Sequence, residues 1–297
     1  MNARECGYLL LSSKLGDPDR RPLSTPQLRL LAQKAPYLSD GCMDADLTAE
    51  HLIAAGVDKG LALRTINLLS DELQLKAYLR RAKRLGLCAI TRASEVYPPL
   101  LRTRLGQEAP GCLWAKGNLD ILSMPTVSLV GSRDLRDKNR KFAQQVGILA
   151  AQQGYALVSG NARGADSAAQ TACLEAGGYV ISVIADSLEE HCPGGRVLLL
   201  SEDDFDEPFT VQRALHRNRV IHALGDAVFV AQCTLSKGGT WDGSVQNLRR
   251  HWSDLYCFRD GSPASVELEQ MGACLIEAEE LNDFKSLPHS PAGLGML

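Results

Sequence analysis

The sequence has no excess of positive charge. Its 297 residues hold 32 Lys and Arg against 35 Asp and Glu, a formal net charge of −3. That balance excludes a globally basic nucleic-acid binder and confines any anion-binding surface to a local patch. Aromatic residues make up only 5% of the chain, so few rings are on hand for stacking bases. The cysteines number nine, an odd count, and no two stand as CxxC. Their scatter excludes a disulfide framework or a zinc site and suits reduced thiols. The six histidines show no ligand spacing, and no Ser-His-Asp arrangement can be read. No metal ligand or catalytic residue is therefore read among the histidines, and no cofactor is expected. Long hydrophobic runs are missing too. The apolar stretch near the N-terminus, "YLLL", has four residues, too short for a signal peptide or a spanning helix. The expectation is a soluble, cytoplasmic protein without membrane contact. Neither GxGxxG nor the spacing of a P-loop occurs, so dinucleotide redox chemistry and kinase or ATPase chemistry are not indicated.

What is present is an ordinary globular balance, 45% hydrophobic and 23% charged, with material for about two domains. Two textures divide the chain. Residues 1–88 carry helical periodicity, as in 25–38, 47–57 and 59–86, with Thr25-Pro26 as a helix start. "LIAAGVDKGLALRTINLL" reads equally as a helix-hairpin-helix unit or as a plain helical bundle. No strands are expected before 120, and 89–125 is a connector rich in turn residues. From 126 apolar runs alternate with helical segments. The runs are 126–131, 155–160, 178–185, 196–201, 226–232, 254–258 and 272–276. Such alternation predicts a parallel sheet with helices on both faces, whose ligands bind beyond the carboxyl ends of the strands. The core spans 126–281, and 282–297 is expected to be a flexible tail.

Chemistry gathers at the predicted strand ends. "VSLVGSR" puts Gly131, Ser132 and Arg133 where the first strand meets its helix. "VSGNARGADSAA" repeats the pattern with Ser159, Gly160, Arg163 and Gly164, and "SKGGTWDG" adds Lys237, Gly238, Gly239 and Thr240. Glycine turns a backbone tightly, a helix start offers free N–H groups, and arginine presents a fork that fits phosphate. One such turn is commonplace; two with matching arginines point to an anion site.

The pieces "YPPLL", "LWAKGNLDIL", "VSLVGSR", "VSGNARGADSAA", "EAGG", "LLSE", "RNRVI", "GDAVFVAQ" and "GACLIEAEEL" follow one another over residues 90–281. In this order the chain resembles the DNA-processing protein A family, also called Smf. The resemblance implies an α/β fold, an extended Rossmann-like mostly parallel sheet with an N-terminal helical domain of helix-hairpin-helix or SAM-like type. It implies binding of single-stranded DNA in a basic pocket at the strand ends and a homodimer through the core. A recombinase is the partner in DNA processing; in antiphage cassettes a toxin is, with the family member as antitoxin. Carried over, the pocket adds Arg217, Asn218 and Arg219 to the residues above. Phe209 and Trp241 are the candidate stacking rings, and Trp241 could equally be core. The chain departs from the family at Gln170, where a histidine is usual, at "DSLEEHCPGG", at "ALH" before RNR and at "KGGTWDG". No C-terminal winged helix is expected. Two rival readings stay open: a nucleotide phosphoribohydrolase-like enzyme with Asp166 or Asp242 as its carboxylate (Asp242 could instead cap a helix), and a sensor of a free nucleotide.

Overall fold

The computed structural model describes residues 1–38 and 46–289. The chain opens with helices α1 (Ala3–Ser12), α2 (Thr25–Lys34), α3 (Ala49–Ala54), α4 (Lys59–Leu69) and α5 (Glu72–Arg84). Strand β1 (Leu87–Thr91) follows, then α6 (Pro99–Leu105) and β2 (Cys112–Gly117). The alternating part runs β3 (Thr126–Val130), α7 (Asp137–Gln152), β4 (Ala156–Ser159), α8 (Ala165–Glu175), β5 (Tyr179–Val183) and β6 (Val197–Ser201). It continues with α9 (Val211–Leu224), β7 (Ala227–Val230), α10 (Gly238–Arg250), β8 (Asp254–Phe258), α11 (Pro263–Gln270) and β9 (Cys274–Ile276). Among the described residues no helix is long and apolar enough to cross a membrane.

One sheet holds all nine of these strands, in the order β1-β2-β6-β5-β4-β3-β7-β8-β9. Pairing is parallel from β6 through to β9. Only β2 runs against its two neighbours, β1 and β6. The seven runs read as strands from 126 onward are strands. Their continuous burial explains why: all five residues of β3 are inside, as a parallel strand covered on both faces requires. The expectation of no strand before 120 is corrected by β1 and β2. In β2 the first four residues are buried, with no alternation to read. In β1 the run "LCAIT" is broken by small and polar residues.

Helices α6, α9, α10 and α11 cover one face through Leu101, Ile221, Trp241 and Leu268. Helices α7 and α8 cover the other through Phe142, Val146, Ala169 and Cys173. On that second face, toward β2 and β6, α1 and α5 complete the layer with Leu9, Leu75 and Tyr78. There Tyr78 stacks on Phe205 at 4.4 Å, and Trp114 meets both edge-on. The N-terminal helices are thus not all set apart. α1 and α5 share a core with the sheet, while α3 and α4 close a small core of their own around Leu52 and Ala62. Helix-hairpin-helix binding finds no support in that pair. Asp58 already accepts the N–H groups of Gly60 and Leu61 at the start of α4, which such a motif would offer to phosphate.

Two further stretches have structural work. The acidic run at 202–207 is a fastener: Asp206 takes Arg81 and the Tyr78 hydroxyl, Glu207 takes Lys14, and Asp204 accepts the Lys14 N–H. The segment expected to be a flexible tail is packed as far as it is described. Phe284 and Leu287 are buried against α7 and β7, and Tyr256 donates to the Pro288 carbonyl. Residues 290–297 of that tail lie outside the described residues.

Candidate nucleic-acid interface

The topology fixes where a ligand should sit. From β3 the chain moves through α7 to β4 on one side; from β7, the other neighbour of β3, it moves through α10 to β8 on the opposite side. The carboxyl ends of β3 and β7 therefore flank the topological switch point. A groove of about 710 Å³ opens there. Gly131, Ser132, Arg133, Arg217, Asn218, Lys237, Gly238, Gly239 and Thr240 all line it. A second hollow of about 290 Å³ adjoins it, lined by Gly160, Arg163 and Asp186, and it shares Arg133, Arg217 and Phe209 with the groove.

The glycines do their work by close approach within the protein. A Cβ on Gly131 would lie 2.4 Å from that of Ala165, and one on Gly164, at φ +86°, would lie 2.3 Å from the Ser132 carbonyl oxygen. The two strand-end turns thus nest, and the Ala165 N–H donates to Ser132 O at 3.1 Å. Gly160 is held between Asp166, which accepts its N–H at 3.1 Å, and Arg217, which donates to its carbonyl at 2.8 Å. Asp166 also accepts from Ala162. Burial pushes the Asp166 carboxyl above its usual range, with Arg217 pulling it back. Both N–H groups bond one oxygen, Oδ2, so Asp166 clamps the loop while its carboxyl also lines the groove.

The cations divide into free and committed. Arg133, Arg163 and Lys237 are exposed, and their side chains have no hydrogen bond or ion pair among the described residues. Arg133 does not pair with Asp134 or Asp137; the ion pair nearby joins Arg136 to Asp260. Arg217 is 7% exposed and bonds the carbonyls of Gly160 and Val183. It forms the cationic floor between the groove and the hollow, its Nε buried without a partner. Burial lowers its pKa, and Asp166 and Glu202 oppose that effect.

Several expectations are corrected here. Arg219 does not face the groove. Two helical positions rotate a side chain about 200°, so Arg219 points the other way, where it pairs with buried Glu202 and donates to the Glu108 carbonyl. Ser159 is fully buried, its hydroxyl donating to Leu129 O at 2.9 Å. Asn218 spends its amide on Gly239 O at 3.0 Å, joining α9 to α10. Trp241 is core, 9% exposed. Asp242 caps nothing: it stands in the second turn of α10, exposed along the groove. Gly-Gly-Thr is itself the first turn of α10, whose Lys237 N-cap supplies no side-chain bond. The first N–H groups of that helix are left to an outside acceptor. Gln170 is buried and donates to Ser182.

Phe209, 51% exposed, stands where the groove and the hollow meet. Val211 and Leu215 extend this apolar rim along α9. Sequence reasoning passed over Cys233 and Thr234, which also line the groove. The rule applied to the first two strands, that a site follows a strand's carboxyl end, would have found them after β7.

An extended Rossmann-like sheet with a groove at its switch point, lined by Arg133, Arg217 and Lys237 and rimmed by Phe209, defines the class: an α/β protein of Rossmann-like architecture. Residues 88–249, more than half of the chain, match the family described as DNA recombination-mediator protein A, and the chain belongs to that family. The DNA processing protein DprA of Streptococcus pneumoniae is 36% identical over 182 residues, 57% of this chain and 64% of that protein. Protein Smf of Escherichia coli is 30% identical over 158 residues, 49% of this chain and 41% of its own length. The matches thus span less than two thirds of these relatives. Among solved structures, DNA processing protein A from S. pneumoniae superposes with a TM-score of 0.72 over 94% of this chain and 97% of that one, at 24% identity. DNA processing protein A from Helicobacter pylori, whose structure is described as showing a single-stranded DNA binding mode, gives 0.52 over 64% and 90%, at 23% identity. These likenesses establish the fold.

Proposed function

We propose that this chain binds single-stranded DNA in the switch-point groove, as a DNA-processing protein in recombination. The observation that carries the reading is the set of uncommitted donors around one groove. Among the described residues Arg133, Arg163 and Lys237 have no side-chain partner, the first turn of α10 is uncapped by a side chain, and Arg217 lies beneath. Backbone phosphates suit such donors, which track charge without reading sequence. Phe209 at the rim is placed to stack a base. The H. pylori relative, described as a single-stranded DNA binder, supports the same ligand here. Asp242 on the groove wall tempers the positive potential and disfavours the deepest seat for a phosphate beside it.

The hydrolase reading is the less favoured one, because the N–H groups of Gly160 and Ala162 hold Asp166 to its own loop through Oδ2 and Asp242 has no arginine partner among the described residues. A homodimer is the assembly that accompanies this reading; light scattering should return twice the monomer mass. The test of the ligand is fluorescence anisotropy with single strand, duplex and free nucleotide at two salt concentrations. Single strand should bind most tightly and lose affinity steeply with salt, as release of several counterions demands. A free nucleotide bound as tightly, with a shallow salt slope, would replace this reading by the nucleotide sensor.

A further inference from the structure

A second cleft, of about 270 Å³, lies between α1, α2 and the turn that leads into β2. Its wall includes Tyr8, Arg29, Gln33, Arg92 and Gln107. We propose that this cleft is a further subsite for the same single strand, seating one nucleotide with its phosphate on Arg29 and Arg92 and its base on Tyr8. The proposal rests on the groove being a single-stranded DNA site.

The first argument is the side chains. The cleft has an apolar bed that includes Leu28, Ala32 and Ala109, as a seat for a base needs, and two guanidiniums and two carboxamides border it. Arg29 is exposed and has no hydrogen bond or ion pair among the described residues. Arg92 uses one nitrogen on the Gly106 carbonyl at 3.1 Å and keeps its other donors. Tyr8 is half-buried at the back wall, where its ring closes over Gly111. A ring beside two arginines matches a base beside its phosphates.

The second argument is position. β1 and β6 each run against β2, so β1 runs parallel to β6 and to the rest of the sheet. Arg92 directly follows β1 and therefore stands on the same carboxyl edge as Gly131 and Gly160. β1 is four strands from β4 and five from β3, a span of roughly 19–24 Å at the usual strand spacing. Single-strand sites of about 4–16 nucleotides per domain are usual, so one strand can reach both places. On the intervening surface Asp186 is the carboxylate that lines the hollow, in contact with His191, and two further acidic residues are neutralised. Glu202 is paired with Arg219 and Asp203 with Arg213. Beneath it, Arg92, Arg102 and Arg219 all lie close enough to favour ionisation of the buried Tyr97 phenol, which burial opposes.

The experiment measures anisotropy with oligothymidine of two lengths, about 6 and about 20 nucleotides. Arg29→Ala should leave binding of the short strand unchanged, because that strand is held by the groove. It should weaken the long strand about tenfold, as loss of one charge-assisted contact does, and make its salt slope shallower by about one unit. Tyr8→Leu should weaken the long strand alone without changing the slope. If Arg29→Ala affects neither length, or both equally, the cleft is not a subsite. A millimolar excess of thymidine monophosphate should not erase the length-dependent difference; if it does, the cleft takes a free nucleotide and the proposal falls. Failure of the wild type to bind the short strand would overturn the groove assignment, and the subsite with it.

Discussion

Arg217 and Arg219 stand two positions apart on one helix and have different tasks. Arg217 holds Gly160 and Val183 and floors the groove; Arg219 neutralises Glu202, whose side chain is 5% exposed. Burial alone would raise the Glu202 carboxyl, yet its pKa is lowered, because His216 and Arg219 outweigh desolvation. Arg219→Ala should therefore cost stability, about 1–3 kcal/mol for a lost hydrogen bond to a buried charge that keeps His216, with little change in DNA affinity per folded molecule. Denaturant unfolding beside an anisotropy titration checks both halves. Gly164→Ala should also destabilise, by about 1–3 kcal/mol, because φ +86° and the Ser132 carbonyl leave no room for a Cβ. His222 gives a pH dependence. It is fully buried, neither ring nitrogen has a partner, and burial drops its pKa from 6.5 to about 3. The unfolded chain takes up a proton near pH 6.5 and the folded chain does not. Stability is thus whole above pH 6.5 and falls as pH drops toward 3. His222→Leu should flatten that decline, measured as the denaturant midpoint against pH.

At the scale of elements, legibility followed burial pattern. The seven strands from β3 onward were plain because each is an apolar run bounded by turn residues. β1 and β2 were not, because Cys, Ala and Thr dilute the first and Lys116 ends the second, reaching past the strand to the carbonyls of Leu188 and Glu189. Gly238 and Gly239 are poor helix formers, yet α10 starts on them, with Asn218 bonding Gly239 O. That early start is what sets Gly-Gly-Thr at a helix N-terminus facing the groove. Of the candidate site, the exposed cations were legible as strand-end arginines and lysine. The inward turn of Ser159 and the reversal of Arg219 were not, since neither side chain's direction is written in a motif. Lys237→Ala should weaken single-strand binding and reduce the salt slope by about one unit, with the unfolding midpoint unmoved, because Lys237 is exposed and its side chain has no partner among the described residues.

For the whole molecule, net charge −3 and the proposed DNA-binding role are reconciled by segregation. The acidic run at 202–207 is consumed in bonds to α5, α9 and the segment after α1, while Arg133, Arg163 and Lys237 at the carboxyl edge have no side-chain partner among the described residues. The central claim is that this edge, at the switch point between β3 and β7, holds the phosphates of a single strand. Arg133 tests it most directly, being shared by the groove and the hollow and having no side-chain partner among the described residues. The measurement is the affinity of wild type and Arg133→Ala for a single-stranded oligonucleotide across a salt series. The account predicts a loss of about 1–3 kcal/mol, a slope shallower by about one unit and an unchanged Tm. An Arg133→Ala protein that binds as tightly as wild type at moderate salt, with the same slope, would contradict it.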